Sequence, residues 1–181
     1  MIARRIANAA LLGTIACSSG SEDPPANEYA DVIAFDTAQI RLVSHGDTST
    51  LTVELAETPE QQAMGLMERP QLPPDAGMLF LYSAVRPESS GFWMFRTRLP
   101  LDIAFIDSLG GIAAIQTMTP CPSNLAQACP SYPAGARYIA ALEANAGYFG
   151  KRQIRVGDRV LLQDTATRRR GTRPTPREAA R

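Results

Sequence analysis

The sequence predicts an α+β fold: one compact domain over residues 36–164, with two short helices and a mainly antiparallel β-sheet for which a barrel-like closure is one option. Three observations indicate this class. Apolar and polar residues alternate near the start of the domain, as in strands with one buried face. Short apolar runs lie between turn-forming residues, as in central strands. Several neighbouring runs are joined by short turns, which favours antiparallel pairing.

The domain begins with a predicted hairpin and a short helix. Apolar and polar residues alternate on both sides of a polar turn at 45–48, which predicts two paired strands with one buried face. A helix is predicted over 59–67. Thr58 offers an N-cap hydroxyl there, and Gln61 follows three residues later, which is the arrangement of a capping box. A proline at the first helical position supports the same start.

The rest of the domain is predicted to be mostly strand. Leu109-Gly110-Gly111 predicts a turn that pairs the apolar runs on either side of it as a hairpin. The run at 138–144 fits either a strand or a helix on its pattern alone, and 145–152 predicts the second short helix. The strands predicted in this region are 78–82, 92–95, 101–107, 112–118 and 159–163.

The first 35 residues predict an export signal followed by a tether. Residues 1–17 carry two Arg, then an apolar run too short to span a bilayer, and end in Gly-Thr-Ile-Ala-Cys, which is typical of a lipobox. We expect Cys17 to be lipidated; an ordinary secretory signal is the alternative. Residues 18–35 begin with a polar stretch rich in turn formers, which predicts a flexible tether. Because Ser18 stands where Asp would indicate inner-membrane retention, we expect a periplasm-facing lipoprotein of the outer membrane.

The charges of the chain are unevenly distributed, although its net charge is zero. Over 28–164, 15 acidic residues stand against 10 basic ones, whereas 165–181 carry six Arg against one Glu. The tail contains almost no apolar residues, which predicts a disordered basic segment. We expect the membrane to be a partner, through the lipid anchor, and we expect no nucleic acid partner for the mildly acidic domain.

The cysteines agree with export. With Cys17 used by lipid, Cys121 and Cys129 remain, and an even pair in an oxidising compartment predicts a disulfide. His45 is the only histidine, so a zinc site has too few ligands and we expect no metal or other cofactor. Four methionines with apolar neighbours are expected to pack in the core rather than to bind a soft metal, namely Met64, Met67, Met78 and Met94.

A long ordered set of motifs resembles the uncharacterised family called domain of unknown function 192, over about residues 53–162. In many relatives Lys-Asn-Thr follows Trp-Met, whereas this chain has Phe95-Arg96-Thr97, so a role of that Lys or Asn is not carried over. The resemblance implies a family and no activity. The motifs are Glu54-Leu55-Ala56, Thr58-Pro59-Glu60, Gly65-Leu66-Met67, Gly77-Met78-Leu79-Phe80, Phe92-Trp93-Met94, Thr97, Pro100-Leu101-Asp102-Ile103-Ala104-Phe105-Ile106-Asp107, Ala136-Arg137-Tyr138, Glu143, Ala146-Gly147 and Gly157-Asp158.

The candidate site lies where one apolar run ends and the next begins. An Arg offers a planar fork for a carboxylate or phosphate, a Trp offers a stacking face, and an Asp could orient a ligand or act as a base. The architectural alternative is that the Asp pairs with an Arg or caps a turn and that the Trp fills the core. A carboxylate within the apolar run 139–144 is costly unless it is paired. The candidate residues are Trp93, Arg96, Thr97, Arg98, Asp102 and Glu143.

Two functions follow from these residues. The favoured one is an envelope-anchored domain without catalysis, which binds a small molecule, a glycan or a partner protein. The alternative is a His-free hydrolase that acts on an envelope glycan with Asp102 and Glu143 as acid and base. That chemistry requires the two carboxyl groups to face one cleft at roughly 5–10 Å. A Gly-x-Ser-x-Gly turn and a phosphate-binding glycine loop are both absent from the sequence.

Overall fold

The structure, a computed structural model, describes residues 33–162, and about half of these residues lie in β-strands. Two short helices, α1 (Pro59–Met64) and α2 (Tyr148–Lys151), and a 3-10 turn (Ala126–Ala128) complete the elements of this part of the chain. The strands are β1 (Asp36–Ser44), β2 (Asp47–Ala56), β3 (Ala76–Arg86), β4 (Gly91–Trp93), β5 (Leu101–Ile106), β6 (Ile112–Met118), β7 (Ser131–Pro133), β8 (Tyr138–Asn145) and β9 (Arg159–Leu162).

Seven of the described strands form one mixed sheet in the order β6-β5-β8-β3-β2-β1-β9, and β4 pairs with β7 in a separate two-stranded sheet. The predicted antiparallel character is confirmed for every ladder of the large sheet except β2–β3, which is parallel. Parallel neighbours need a crossover connection. Here the crossover contains α1, whose Thr58–Gln61 capping box is present as predicted.

The two predicted hairpins are confirmed. The β1–β2 turn consists of His45 and Gly46, which both have positive φ, 45° and 95°. This backbone twist suits a two-residue turn between antiparallel strands. The β5–β6 hairpin turns through 107–111, where Asp107 accepts hydrogen bonds from the backbone N–H groups of Leu109 and Gly111, both at 2.8 Å.

Three predictions of secondary structure need correction. The helix predicted over 59–67 ends at Met64, because the chain turns at Gly65, whose φ is 50°. The run at 92–95 is not a central strand: β4 is three residues long and belongs to the small sheet, which packs its Phe92 ring against the large one. The second helix is shorter than predicted, because only Tyr148–Lys151 is helical within 145–152. The ambiguous run at 138–144 is a strand, β8, which pairs with both β3 and β5.

The sheet does not close into a barrel. Its two edge strands, β6 and β9, meet only beside the β5–β6 turn, through one isolated antiparallel bridge between Gly111 and Arg159. Backbone hydrogen bonds of 2.8 Å, from Ile112 N–H to Asp158 and from Val160 N–H to Gly110, support this contact. The edges share no ladder beyond it, so the barrel-like option is wrong.

The sheet buries apolar side chains on both faces, in two clusters. The first core contains side chains of β1, β2, β8 and β9, together with Tyr148 and Phe149 of α2. The second core contains Met78, Phe80, Ile103 and other side chains beneath the chain segments that cover the opposite face. Ring contacts in the second core attach the small sheet, since Phe92 lies 4.9 Å from Phe80 and 5.9 Å from Phe105, measured between ring centroids.

Several predicted segments lie outside the described residues. They are the signal peptide with its lipobox Cys17, all but the last three residues of the 18–35 tether, and the basic tail at 165–181. Over residues 33–162, no helix has both the length and the apolar composition needed to cross a membrane.

Candidate functional site

Three of the candidate residues, Arg96, Thr97 and Arg98, line one cavity of about 550 Å³, which we call the arginine cavity. They lie in the segment between β4 and β5. The opposite side of the cavity comes from the segment that follows β6, with Pro120, Cys121, Ser123 and Asn124. Phe95 and Glu68 complete the lining.

Glu68 holds the two arginines of this cavity together. Arg96 Nε donates to Glu68 Oε1 at 2.6 Å, and Arg98 Nη2 donates to Glu68 Oε2. The backbone adds a third link, because Glu68 N–H donates to the Arg96 carbonyl oxygen at 2.8 Å. The hydrogen bonds from Arg96 and then Arg98 hold the pKa of Glu68 below its ordinary value. Glu68 is therefore a carboxylate at neutral pH.

Glu68 and Arg96 also share an unusual backbone conformation. Their φ angles are 60° and 54°, in the left-handed region that side-chain-bearing residues adopt infrequently. Such residues are found disproportionately at binding and catalytic sites, where the surrounding structure keeps them in place. Of the four such non-glycine residues in the described chain, these two contact each other at the arginine cavity, and the other two, His45 and Gln153, lie outside it.

Arg98 is the exposed cation of the arginine cavity. The charged residues of the lining are Arg96, Arg98 and Glu68, and both arginines contact Glu68. The Arg98 side chain is 61% exposed, and its Nη2 group is the donor that Glu68 engages. A guanidinium has five N–H donors in a planar fork. Arg98 can therefore bind an incoming anion while it remains bonded to Glu68.

Trp93 lies beside the arginine cavity rather than in its lining. It is on β4, 47% exposed, with its ring centroid 5.8 Å from that of Phe95, which does line the cavity. The expectation that Trp93 fills the core under the architectural alternative is therefore not met. Its neighbour Met94 is the core residue of this motif, with 1% exposure.

The two carboxyl groups proposed for hydrolysis face opposite sides of the sheet. In the β5–β8 ladder, Ile103 lies opposite Glu143 and Asp102 lies opposite Ala144. Successive residues of a strand point to opposite faces. Asp102 therefore shares a face with the first core and Glu143 with the second, so they cannot face one cleft. Asp102 and Glu143 therefore do not form the acid–base pair that the hydrolase hypothesis requires, and that prediction is wrong.

Asp102 and Glu143 differ in their surroundings. Asp102 is buried and accepts a 2.7 Å hydrogen bond from the Thr117 hydroxyl across the β5–β6 ladder. Glu143 is buried between Met78 and Ile103, forms no ion pair within residues 33–162, and has the phenol of Tyr82 within electrostatic reach. Burial raises the pKa of Glu143 to about 8. Glu143 is therefore mostly protonated and neutral at pH 7.

The predicted Cys121–Cys129 disulfide is confirmed, with the two Cα atoms 5.5 Å apart. It closes the segment 121–129, which we call the disulfide loop. Cys121 N–H also donates to the Met94 carbonyl oxygen at 3.3 Å, which joins the start of this loop to the strand-end motif. The loop supplies Cys121, Ser123 and Asn124 to the arginine cavity, so the disulfide helps to shape it.

A second cavity, of about 700 Å³, adjoins the first, and we call it the apolar groove. It shares Glu68 and Arg96 with the arginine cavity. At its far side Arg69 Nη2 donates to Glu54 Oε2 at 2.6 Å. Its apolar lining comes from the start of β1, from α1 and from the segment after α1, with Ile33, Phe35, Ala63, Met64, Met67 and Pro70.

Neither Glu68 nor this groove was predicted from the sequence. Met64 and Met67 were expected in the core with Met78 and Met94, but only the latter two are fully buried, and the former two line the groove. The available signal was the pair Glu68-Arg69, two charged residues directly after the apolar run 64–67.

The single histidine does not form a catalytic triad. Ser44 Oγ lies 3.1 Å from His45 Nδ1, and Asp158 Oδ1 lies 3.8 Å from that same nitrogen. A Ser-His-Asp triad needs the Ser and the Asp on different ring nitrogens. Over residues 33–162, His, Cys, Asp and Glu side chains form no group of three or more that could hold a metal ion.

Comparison with known proteins gives a family without an assigned activity. Residues 40–162 match DUF192, described as an uncharacterised ACR. A candidate transcription regulator from Sinorhizobium meliloti has a similar structure, with a TM-score of 0.64 and 35% identity over 72% of this chain and 96% of that one. A protein of unknown function from Novosphingobium aromaticivorans aligns with a TM-score of 0.58 and 30% identity over 68% and 84% of the two chains. No curated protein matches the sequence significantly. The family match covers most of the described fold, and this chain belongs to the DUF192 family.

Proposed function

We propose that this chain is a binding module of the cell envelope, held at the membrane by lipid on Cys17, which binds a small anionic molecule in the arginine cavity without catalysing a reaction. The observation that carries this proposal is the arginine cavity itself. The exposed guanidinium of Arg98 faces a concave space, where Glu68 holds it through Nη2. Its other N–H donors favour an anionic ligand such as a carboxylate or a phosphate.

The polar groups around the cavity suit recognition better than chemistry. Ser123 and Asn124 add neutral hydrogen-bonding groups, and Phe95 adds an aromatic face. The nearest hydroxyl of the motif, on Thr97, is buried and lies 3.5 Å from the Phe95 carbonyl oxygen, with no base beside it in the described structure. A nucleophile needs an adjacent base or a lowered pKa.

Trp93 provides a direct test of this proposal, since it is the only tryptophan of the chain and its ring contacts Phe95 in the cavity wall. The purified protein is titrated with glucuronate, butanoate and inorganic phosphate while Trp93 fluorescence is followed. We expect saturable binding of at least one anion. Arg98→Gln should weaken that binding about tenfold or more, because a charge-assisted hydrogen bond contributes roughly 1.5–3 kcal/mol.

The matched control is Arg41→Gln, which removes an exposed arginine from β1, outside the lining of both cavities. It lowers the net charge by the same amount and should leave the affinity unchanged. If none of the three anions binds, or if both variants lose affinity equally, the arginine cavity is not the binding site.

A further inference from the structure

We infer that the ligand is a free single-chain amphiphile, with its anionic head in the arginine cavity and its apolar chain in the adjoining groove. This inference rests on the proposed function and adds the class of ligand to it. It starts from the fact that the two cavities are neighbours: Glu68 and Arg96 belong to the walls of both. A molecule bound to Arg98 can therefore extend past these two side chains into the apolar groove.

The chemistry of the two cavities differs in the way an amphiphile requires. The apolar groove is lined mainly by apolar side chains, whereas the arginine cavity is lined mainly by charged and polar ones. Met64 and Met67 lie in the groove wall and are only partly buried. Methionine side chains are flexible and polarisable, so they adapt to a chain of variable length or shape.

The size of the groove favours one chain. Pockets that bury a small molecule measure roughly 300–1,000 Å³, and the apolar groove measures about 700 Å³. Four of its charged groups are paired, Arg69 with Glu54 and Arg96 with Glu68. Glu60, in the first turn of α1, is a further acidic residue of the lining, and the apolar side chains around it offer contacts to hydrocarbon.

The guanidinium of Arg98 selects the sign of the head. Its side chain is 61% exposed and donates to Glu68 through Nη2, so its other N–H groups can donate to an anionic head. The planar fork of a guanidinium matches a carboxylate or a phosphate monoester. A guanidinium repels a cationic head, and an uncharged head forms a weaker hydrogen bond with it than an anionic one.

The experiment compares three probes by isothermal titration of the purified protein, below the concentration at which dodecanoate forms micelles. Dodecanoate has both head and chain, butanoate has the head with a short chain, and dodecanol has the chain without the charge. We expect dodecanoate to bind at least tenfold more tightly than either of the other two. Each methylene moved out of water contributes about 0.8 kcal/mol, so even partial burial of the longer chain gives this factor.

Two variants separate the head from the chain. Arg98→Gln should weaken dodecanoate and butanoate by the same factor. Met64→Gln, which places an amide in the groove wall, should weaken dodecanoate several-fold and leave butanoate unchanged. The control is Leu109→Gln in the β5–β6 turn, an apolar side chain that is 75% exposed and lies outside the lining of both cavities. It should change neither affinity.

The outcomes distinguish this inference from the proposed function. Equal affinities for dodecanoate and butanoate would overturn the amphiphile and leave the anion-binding function standing. Tight binding of dodecanol with no binding of either carboxylate would overturn both. Binding to phosphatidylglycerol vesicles that dodecanoate does not displace would replace the free amphiphile with a membrane surface.

Discussion

Glu143 is a carboxyl group whose burial destabilises the fold at high pH. It lies between Met78 and Ile103 in the second core, and no described cation pairs with it. A buried unpaired carboxylate is unstable, so the side chain keeps its proton instead. Burial raises the pKa of Glu143 from 4.5 to about 8. The folded state therefore binds a proton that the unfolded chain has already released between these two pH values.

The first prediction concerns this proton. Because the folded state binds more protons, the free energy of unfolding should fall as the pH rises from about 4.5 to about 8, with the contribution of Glu143 fully present at the acidic end. In Glu143→Gln that fall should be absent, since the amide does not ionise. Urea unfolding of both proteins at pH 5, 7 and 9 measures it. Between pH 5 and pH 9 the wild type should lose a few kcal/mol more than the variant, on the order of 1.4 kcal/mol per unit of pKa shift.

Glu54→Gln is the matched control for this measurement. Glu54 and Glu143 both lie beside Met78, on β2 and β8 respectively, but Glu54 is bonded to Arg69. The control should keep the fall in stability, because Glu143 is still present. Parallel pH profiles for the wild type and Glu143→Gln would mean that Glu143 titrates normally in the folded protein.

Single residues also show what the sequence could and could not predict about the site. Arg96, Thr97 and Arg98 were identified because they are adjacent in sequence and chemically distinctive, and they do share a cavity. Glu68 is 28 residues away from Arg96, and only the tertiary fold brings them into contact. Asp102 was wrongly grouped with Glu143 because sequence proximity to a motif does not reveal which face of a strand a side chain occupies.

At the scale of elements, local signals were reliable and non-local ones were not. The hairpins and the capped helix α1 depend on residues within a few positions of each other, and all three are confirmed. The parallel β2–β3 ladder depends on the route of the chain through α1, which no local pattern determines. The run at 92–95 is apolar because Phe92 docks onto Phe80 and Met94 enters the second core, not because it is a central strand.

The second prediction concerns the disulfide loop. Replacing both cysteines, Cys121→Ser with Cys129→Ser, should lower the free energy of unfolding by about 2–3 kcal/mol, since a short cross-linked loop constrains the unfolded chain by roughly that amount. Urea unfolding measures the loss. In the double variant, amide hydrogen exchange should also accelerate more within 122–128 than in the large sheet, because the loop opens locally.

A reductant provides the control for the loop. A dithiol reductant should reduce the stability of the wild type to that of the double variant, and it should leave the double variant unchanged. Equal stability of the oxidised and reduced wild type would show that the disulfide does not contribute to the fold.

At the scale of the whole molecule, closure of the sheet could not be predicted. A barrel and an open sheet have the same strand pattern in sequence and differ only in whether the two edge strands pair. Here β6 and β9 meet at one bridge and share no ladder, and the second core fills the space on the other face of the sheet. The curvature that brings these edges together arises from many residues at once, so no single motif encodes it.

The third prediction concerns attachment of the whole molecule. In cells that process lipoproteins, Cys17→Ser should release the protein from the membrane fraction, because the thiol that would carry the lipid is lost. Fractionation followed by immunoblotting measures this release. Ser18→Ala changes the neighbouring residue, keeps the thiol, and should leave the protein membrane-bound. Unchanged membrane association of Cys17→Ser would exclude the lipid anchor.

A lipid anchor on Cys17 would hold the apolar groove close to the membrane. Ile33 and Phe35, at the start of the described chain, are part of the groove wall. Cys17 precedes Ile33 by 16 positions (33 − 17), and a fully extended chain of that length reaches about 50–60 Å. A protein anchored at Cys17 would keep its groove within this distance of the bilayer. An amphiphile that leaves the membrane would then meet the groove at a high effective concentration, so a modest intrinsic affinity would suffice to capture it.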